Sequence, residues 1–195
     1  MKPSTRRWLL ALGAVLLVTA VWALVGGSGF TSRREAWPLE ARLARAARGF
    51  LIPRAVKETV NPVSQDGEAL WDGMEHFADH CATCHANDGS GDTQMGRALF
   101  PPAPDMRMEP TQAMSDGELF YVIEFGIPFT GMPAWGTATE DGERASWDLV
   151  RFIRHLPDLT DGELKEMEAL NPRSPAADAR TQEIADFLEG RGAGR

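Results

Sequence analysis

Cysteine occurs only twice in the 195 residues, at Cys81 and Cys84. Neither thiol has a distant partner, so a disulfide framework is excluded, and a bond between the two would close a very short, strained loop. Histidine is almost as scarce: His76, His80, His85 and His155 are the whole complement, and Tyr121 is the one tyrosine. Acidic residues are thin at the start of the chain. Residues 1–60 carry ten Lys/Arg against three acids, net +7, whereas residues 61–195 carry ten against twenty-five, net −15, giving −8 in all. So acidic a C-terminal part repels phosphate backbones, which argues against nucleic acid as a partner. Its acidity serves solubility first, and it can also bias the choice of protein partner. No internal repeat is present, and no charge interrupts Trp8 to Val25.

The two cysteines belong to one short pattern. Residues 81–85 read Cys-Ala-Thr-Cys-His. Thiols one helical turn apart can each add to a haem vinyl group, and the adjacent histidine is then placed to put a ring nitrogen on the iron. A redox dithiol has the same C-x-x-C core but expects a thioredoxin-type strand–helix context, and the stretch before Cys81 reads as helix. A structural zinc site needs four ligands, so Cys81, Cys84 and His85 would need one of His76, His80 or His155. The five-residue signature therefore points to covalent haem.

Around this motif the sequence resembles class I cytochromes c, in particular single-haem, membrane-anchored bacterial members and the haem-c subunits of some terminal oxidases. The residues that carry the resemblance are G-M-E-H-F-A-D-H-C-A-T-C-H at 73–85, the Gly-rich and Pro-rich stretch at 86–105, G-M-P-A-W-G at 131–136 and W-D-L-V-R-F-I-R-H-L at 147–156. It covers about residues 66–157 and neither the first 65 residues nor the last 38. It implies an all-α, cytochrome c-like helical domain around one covalent haem c. Cys81 and Cys84 hold the haem, His85 is the proximal iron ligand and Met132, 47 residues later, the distal one. It further implies that Gly73 and Phe77 on the first helix cross the last helix near Phe152. A carbonyl in the stretch 99–104, at Pro101 or Pro102, accepts the other ring N–H of His85 and raises its donor strength.

The residues themselves support this outline. A first helix is expected over residues 66–80. Gly89 and Gly91 allow a tight turn, and Leu99 to Pro104 forms a rigid, donor-poor loop. Ser115 to Glu118 is a capping box ahead of an apolar helix that stops at Gly126. Trp71 and Trp147 are expected in one apolar body. Tyr121 either reaches a haem propionate or is a satisfied core residue. Met95, Met106, Met108, Met114 and Met132 all follow His85, and methionine is commonly core filler. Met132 differs in lying between Gly131 and Pro133, in a loop free to approach the iron. His76 and His80 are expected to stay away from the distal face, and His155 to be exposed.

Four segments follow: 1–31 an N-terminal membrane anchor (or signal peptide), 32–65 a basic linker, 66–157 the haem domain and 158–195 an acidic helical tail. The uncharged run Trp8–Val25 is eighteen residues long, at the lower edge of a transmembrane helix. Lys2, Arg6 and Arg7 precede it, and Trp8 and Trp22 sit near its ends. A cleaved signal peptide has a shorter core and a clearer cleavage site, so an uncleaved anchor is favoured. The arginines after the span run against the positive-inside rule, although long domains are translocated regardless. The resemblance implies haem attachment outside the cytoplasmic membrane, so the haem domain is expected on the periplasmic side. In the linker, Pro38 to Arg48 reads as a helix ending at Gly49, with Leu39, Leu43, Ala46 and Ala47 on one face; it lies on the membrane, on a partner subunit or in solvent. Thr160 to Glu163 opens a short acidic helix to Leu170, and a last helix runs from Ser174 to about Leu188. This tail docks on a larger complex or packs on the domain.

The function expected is one-electron transfer by a His/Met-ligated haem c, with no catalytic residue and no small-molecule substrate. The partners expected are a redox protein donor and acceptor, free or within a larger membrane complex, in a respiratory or photosynthetic chain. Two other readings stand: a haem enzyme or gas sensor with an open distal site, and a mainly structural haem subunit.

Overall fold

The computed structural model describes residues 3–26, 31–32, 36–64 and 67–172. Among these every regular element is helical and no strand occurs. The expected helix over residues 174–188 lies outside the described residues.

Helix α1 (Pro3–Gly26) contains the one described segment long and apolar enough to cross a membrane, Thr5–Ala23. Its leucines, valines and tryptophans are exposed from Trp8 to Trp22. The hydroxyl of Thr19 donates back to the Val15 carbonyl at 2.9 Å, which satisfies it within the helix. Helix α2 (Pro38–Leu51) starts on a proline and a Glu40 carboxylate that accepts from the Trp37 N–H at 3.3 Å. It does not stop at Gly49 as expected but continues through Phe50 and Leu51, because one interior glycine costs only about 1 kcal/mol while Pro53 enforces the stop. A single turn, α3 (Arg54–Lys57), follows.

The helical body begins with α4 (Gly67–His76), which passes into a π-helical turn at Phe77–Cys81 and then into α5 (Ala82–His85). After two short loop helices, α6 (Gln94–Ala98) and α7 (Glu109–Gln112), comes α8 (Asp116–Phe125). Its Ser115/Glu118 capping box forms as expected, with Ser115 Oγ accepting from the Glu118 N–H at 3.2 Å and Glu118 accepting from the Ser115 N–H at 2.9 Å. Helix α9 (Glu140–His155) starts well before the expected Trp147, capped by Thr139. A 3-10 turn at Leu156–Asp158 leads to α10 (Asp161–Leu170), capped by Thr160 and Glu163.

The core forms where α4 and α9 cross. A side chain at Gly73 would collide with the Asp148 carbonyl, so only glycine lets the two backbones approach this closely. One turn on, Phe77 meets Phe152 with ring centroids 5.1 Å apart. Both rings are fully buried, each contributing about 2–3 kcal/mol. The implied crossing is therefore present at the implied residues. Trp147 is buried and stacks on Phe120 at 4.1 Å. Trp71 is not its companion: at 44% exposure it lies on the surface, because its helical position faces away from Gly73. Met167 of α10 is wholly buried in the same core, so the first part of the acidic tail packs on the domain. His155, expected in solvent, is half-buried and bonded to Glu163 of that helix at 2.9 Å. The linker packs as well. Ile52 is buried, a side chain at Gly117 would collide with the Val56 carbonyl, and Asn61 donates to the Trp147 carbonyl at 2.9 Å.

Candidate haem site

The attachment motif is held by the end of one helix and the loop that leaves it. In the π turn the Ala82 N–H reaches back five residues to the Phe77 carbonyl, a wider turn than an α-helix makes. Such turns re-aim the residues that follow them and recur at functional sites. Here it separates the packing register of Gly73 and Phe77 from that of Cys81, Cys84 and His85.

Helix α5 ends at Ala86, at a φ of 60°, and its last carbonyls need partners. The returning loop supplies them. The Gly91 N–H donates to the His85 carbonyl at 2.8 Å, and the Thr93 hydroxyl to the Cys84 carbonyl at 3.2 Å. Gly89 and Gly91 both have φ of 73°, where a side chain would be strained. The Met106 N–H donates to Gly89 and the Ala103 N–H to Gly96, at 2.8 and 3.0 Å, which ties the Pro-rich loop to the Gly-rich one. Arg107 bridges the same two loops, donating to Asp88 at 2.9 Å and to Asp105 at 2.7 Å. Those bonds hold the Asp105 carboxyl below the usual carboxylate range.

Within this frame the thiol of Cys81 is pushed up to about 12, by burial and then by Cys84 beside it. The attacking group of a redox dithiol needs the opposite, a thiolate stabilised at low pKa, so Cys81 is unsuited to that role. Both cysteines are free. Burial lowers the basicity of His85, and the carbonyl of Pro104 acts against that as a hydrogen-bond acceptor. The carbonyl that bears on the His85 ring is thus that of Pro104, where Pro101 or Pro102 was expected, and it falls short of a complete hydrogen bond. Nδ1 of His85 is buried and makes no fully formed hydrogen bond. Two free thiols one turn apart, next to an imidazole whose inner nitrogen is buried beside a carbonyl, fit covalent haem with proximal histidine ligation.

Opposite this frame in chain order lies the loop after α8. Gly126, at φ 66°, turns the chain. The Ile127 N–H donates to the Met132 carbonyl at 3.1 Å, and the Met132 N–H to the Thr130 hydroxyl at 3.1 Å. Farther on, the Trp135 and Gly136 N–H groups donate to the Ile123 and Glu124 carbonyls at 3.0 and 3.1 Å. The loop therefore hangs from the last turn of α8. The carboxylate of Glu124 is buried and accepts from Ser146 of α9 at 2.6 Å. A side chain at Gly131 would meet the methyl groups of Leu99, so the Pro-rich loop touches the Met132 loop.

Met132 is half-buried. Of the other candidates, Met95 and Met108 are exposed, while Met106 is buried in the core and Met114 packs against it. His80 touches the distal loop from outside. Its ring meets Trp135 edge-on at 5.4 Å, and His76 packs on His80 at 4.9 Å. Tyr121 packs against Phe125 at 4.7 Å. Sequence reasoning missed the π turn, which has no compositional sign, and the Glu124–Ser146 pair, whose members are 22 residues apart.

Residues 68–153 match the family model of cytochrome c oxidase, cbb3-type, subunit III. The matched segment runs from the first residues of α4 through the motif and the Met132 loop to near the end of α9. The chain therefore carries a class I cytochrome c domain similar to the haem-c subunits of terminal oxidases, and its cofactor is covalently bound haem c, an electron-transfer group.

Proposed function

We propose that this protein is a membrane-tethered one-electron carrier in which His85 and Met132 are the two axial ligands of the haem iron. The observation that carries the reading is the Met132 loop. It is bonded through main-chain groups to α8 and braced by a buried Glu124–Ser146 pair, which gives its half-buried thioether a defined place. Haem c supplies reversible one-electron chemistry between Fe(III) and Fe(II). The chain's own residues set its conditions. His85 is kept neutral by burial and presented beside the Pro104 carbonyl. A soft thioether donor favours Fe(II), so the potential falls on the high side. With both axial positions taken, the domain offers no place for a small-molecule substrate, and its partners are a redox protein donor and acceptor within or beside a respiratory or photosynthetic chain.

The tether is α1. Its exposed apolar surface, its length and the flanking Lys/Arg and Trp residues support a single pass through the cytoplasmic membrane, with the haem domain on the periplasmic side. Two measurements test the proposal. Ferric protein is expected to show the weak far-red charge-transfer band of a sulfur–iron bond, and ferrous protein to bind carbon monoxide poorly. Absence of the band together with ready carbon monoxide binding would favour an enzyme or sensor with an open site. For the tether, the full chain is expected to resist a carbonate wash and to retain Met1 or Lys2 at its start; a soluble form beginning near Gly29 would identify a signal peptide.

A further inference from the structure

Helix α2 carries an apolar stripe with no partner among the described residues. Leu39, Leu43, Ala46 and Phe50 are spaced i, i+4, i+7 and i+11, which at about 100° per residue places them on one narrow line. Leu39, Leu43 and Phe50 are 67, 62 and 87% exposed. The opposite side of the helix faces the protein. Ala41, Arg48 and Gly49 are shielded, Ile52 just beyond the end is buried, and Lys57 bonds back to the Gly49 carbonyl while also approaching Glu118 of α8 at 3.6 Å. The helix is thus joined to the haem domain at its C-terminal end, buries no residue of its own, and keeps its apolar stripe turned outward.

We propose that this stripe lies in the surface of an anionic bilayer and fixes the haem domain in one orientation against the membrane. The inference rests on the reading of α1 as the membrane anchor. Three observations favour lipid over a protein groove. Pro38 follows the end of α1 at Gly26 by twelve peptide steps, so α2 starts within roughly 40 Å of the bilayer whatever path the chain takes. Exposed Arg42 stands on the flank of the stripe, where a guanidinium group reaches lipid phosphates while the apolar side chains enter the acyl boundary. Trp37, 47% exposed, sits at the entry to the helix as interfacial tryptophans do. The charge beyond the span agrees: residues 26–60 carry seven Lys/Arg against three acids, net +4, and residues 61–195 are net −15. An anionic surface attracts the α2 side and repels the haem-bearing part, leaving that part turned toward soluble partners.

The test uses the full-length holoprotein, in which Cys81 and Cys84 are consumed by haem, so that a nitroxide label reaches only an introduced cysteine. Single variants Leu43→Cys and Phe50→Cys report the stripe, Ala44→Cys the neighbouring face, and Val15→Cys the anchor. Each is reconstituted in vesicles of phosphatidylcholine with phosphatidylglycerol and in phosphatidylcholine alone. The quantity read is the ratio of collisions with oxygen, which partitions into lipid, to those with a water-soluble nickel chelate. With anionic lipid, positions 43 and 50 are expected to give ratios several-fold above position 44, collapsing toward it in phosphatidylcholine alone. Equal ratios at 43 and 44, with position 15 deep in lipid, overturn the proposal and leave the anchor standing. Positions 43 and 50 shielded from both reagents mean that a protein covers the stripe, which also overturns it. Unchanged immersion without phosphatidylglycerol overturns the anionic part. If position 15 is as nickel-accessible as position 44, the anchor reading itself fails and takes the proposal with it.

Discussion

The two sides of the haem site are built in different ways. The proximal side is a backbone construction. Gly73 lies against the Asp148 carbonyl, Gly96 against the Cys84 carbonyl and Gly91 against the Ala103 carbonyl, each without room for one more carbon. The distal side is a loop with exposed apolar side chains, Phe129 fully exposed among them, held by a few main-chain bonds to α8 and one buried side-chain pair. A close contact between two main chains cannot relax without moving whole helices, whereas a side chain can rotate away. The proximal side is therefore fixed by such contacts throughout, whereas the distal loop has them only at its two ends, where Gly126 lies against the main chain of Met132 to Ala134 and Gly136 against Glu124, and is otherwise held through side chains. Perturbing each side in turn tests this difference.

The largest effect falls on attachment. Cys81→Ala together with Cys84→Ala removes both thioether bonds, and protein denatured in gel is expected to show no haem stain. Retained stain in the double variant would contradict the site as a whole. Next in size is Met132→Ala. It is expected to abolish the far-red band, lower the potential and open the iron to carbon monoxide, while haem stain persists. The same change at Met95 or Met108, both exposed, or at Met114 is expected to leave the band in place. Loss of attachment without the first pair of changes, or loss of the band from another methionine, would break the division between the two sides.

Two glycines sharpen the comparison through stability. Gly73→Ala forces a carbon into the Asp148 carbonyl at the α4–α9 crossing and is expected to cost about 1–3 kcal/mol, read as a lower Tm. Gly131→Ala meets only the end of the Leu99 side chain, and its cost is expected to be clearly smaller. Equal losses would show that the distal loop is as rigid as the frame. Ser146→Ala removes the hydrogen-bond donor to the buried Glu124 carboxylate, and an unpartnered buried polar group costs about 1–3 kcal/mol. Because Glu124 also braces the loop through its own carbonyl, this variant is expected to make the far-red band lose intensity on warming before the haem domain unfolds.

Much of this arrangement was legible in the sequence, for reasons of range. The motif, the capping boxes at Ser115 and Thr160 and the Gly73/Phe77 spacing are local patterns whose chemistry is set by neighbours within a turn or two. What escaped was either non-local or free of any residue preference. The π turn at Phe77–Cys81 uses residues that would serve equally well in an α-helix. Trp71 has the hydrophobicity of a core residue but the wrong angular position, and only the direction of the α4–α9 crossing decides which face is inside. Pro104 rather than Pro101 faces His85 because of how the Pro-rich loop folds back, through the bonds Ala103 to Gly96 and Met106 to Gly89. The Met132 loop shows in the sequence as Gly-Met-Pro, yet its bracing by Ser146 depends on where α9 passes.

The smallest effect concerns the cross-link between the two proximal loops. Arg107 donates to both Asp88 and Asp105, and its side chain and that of Asp88 are each 37% exposed. Water and salt screen such a pair, so Arg107→Gln is expected to cost no more than about 1 kcal/mol, less in high salt. Its pH dependence has a definite sign. Hydrogen bonds from Arg107 hold the folded Asp105 carboxyl below its ordinary range. The unfolded chain therefore binds the proton more readily, and the stabilisation is present above the ordinary aspartate range, near pH 4, and disappears as pH falls through the folded value. The Tm difference between wild type and Arg107→Gln is accordingly expected to be greatest near neutrality and to close in acid. A difference that stays constant into acid would mean that Arg107 acts by packing its stem between the loops rather than by its charge, and the proximal frame would then owe its rigidity to main-chain contacts alone.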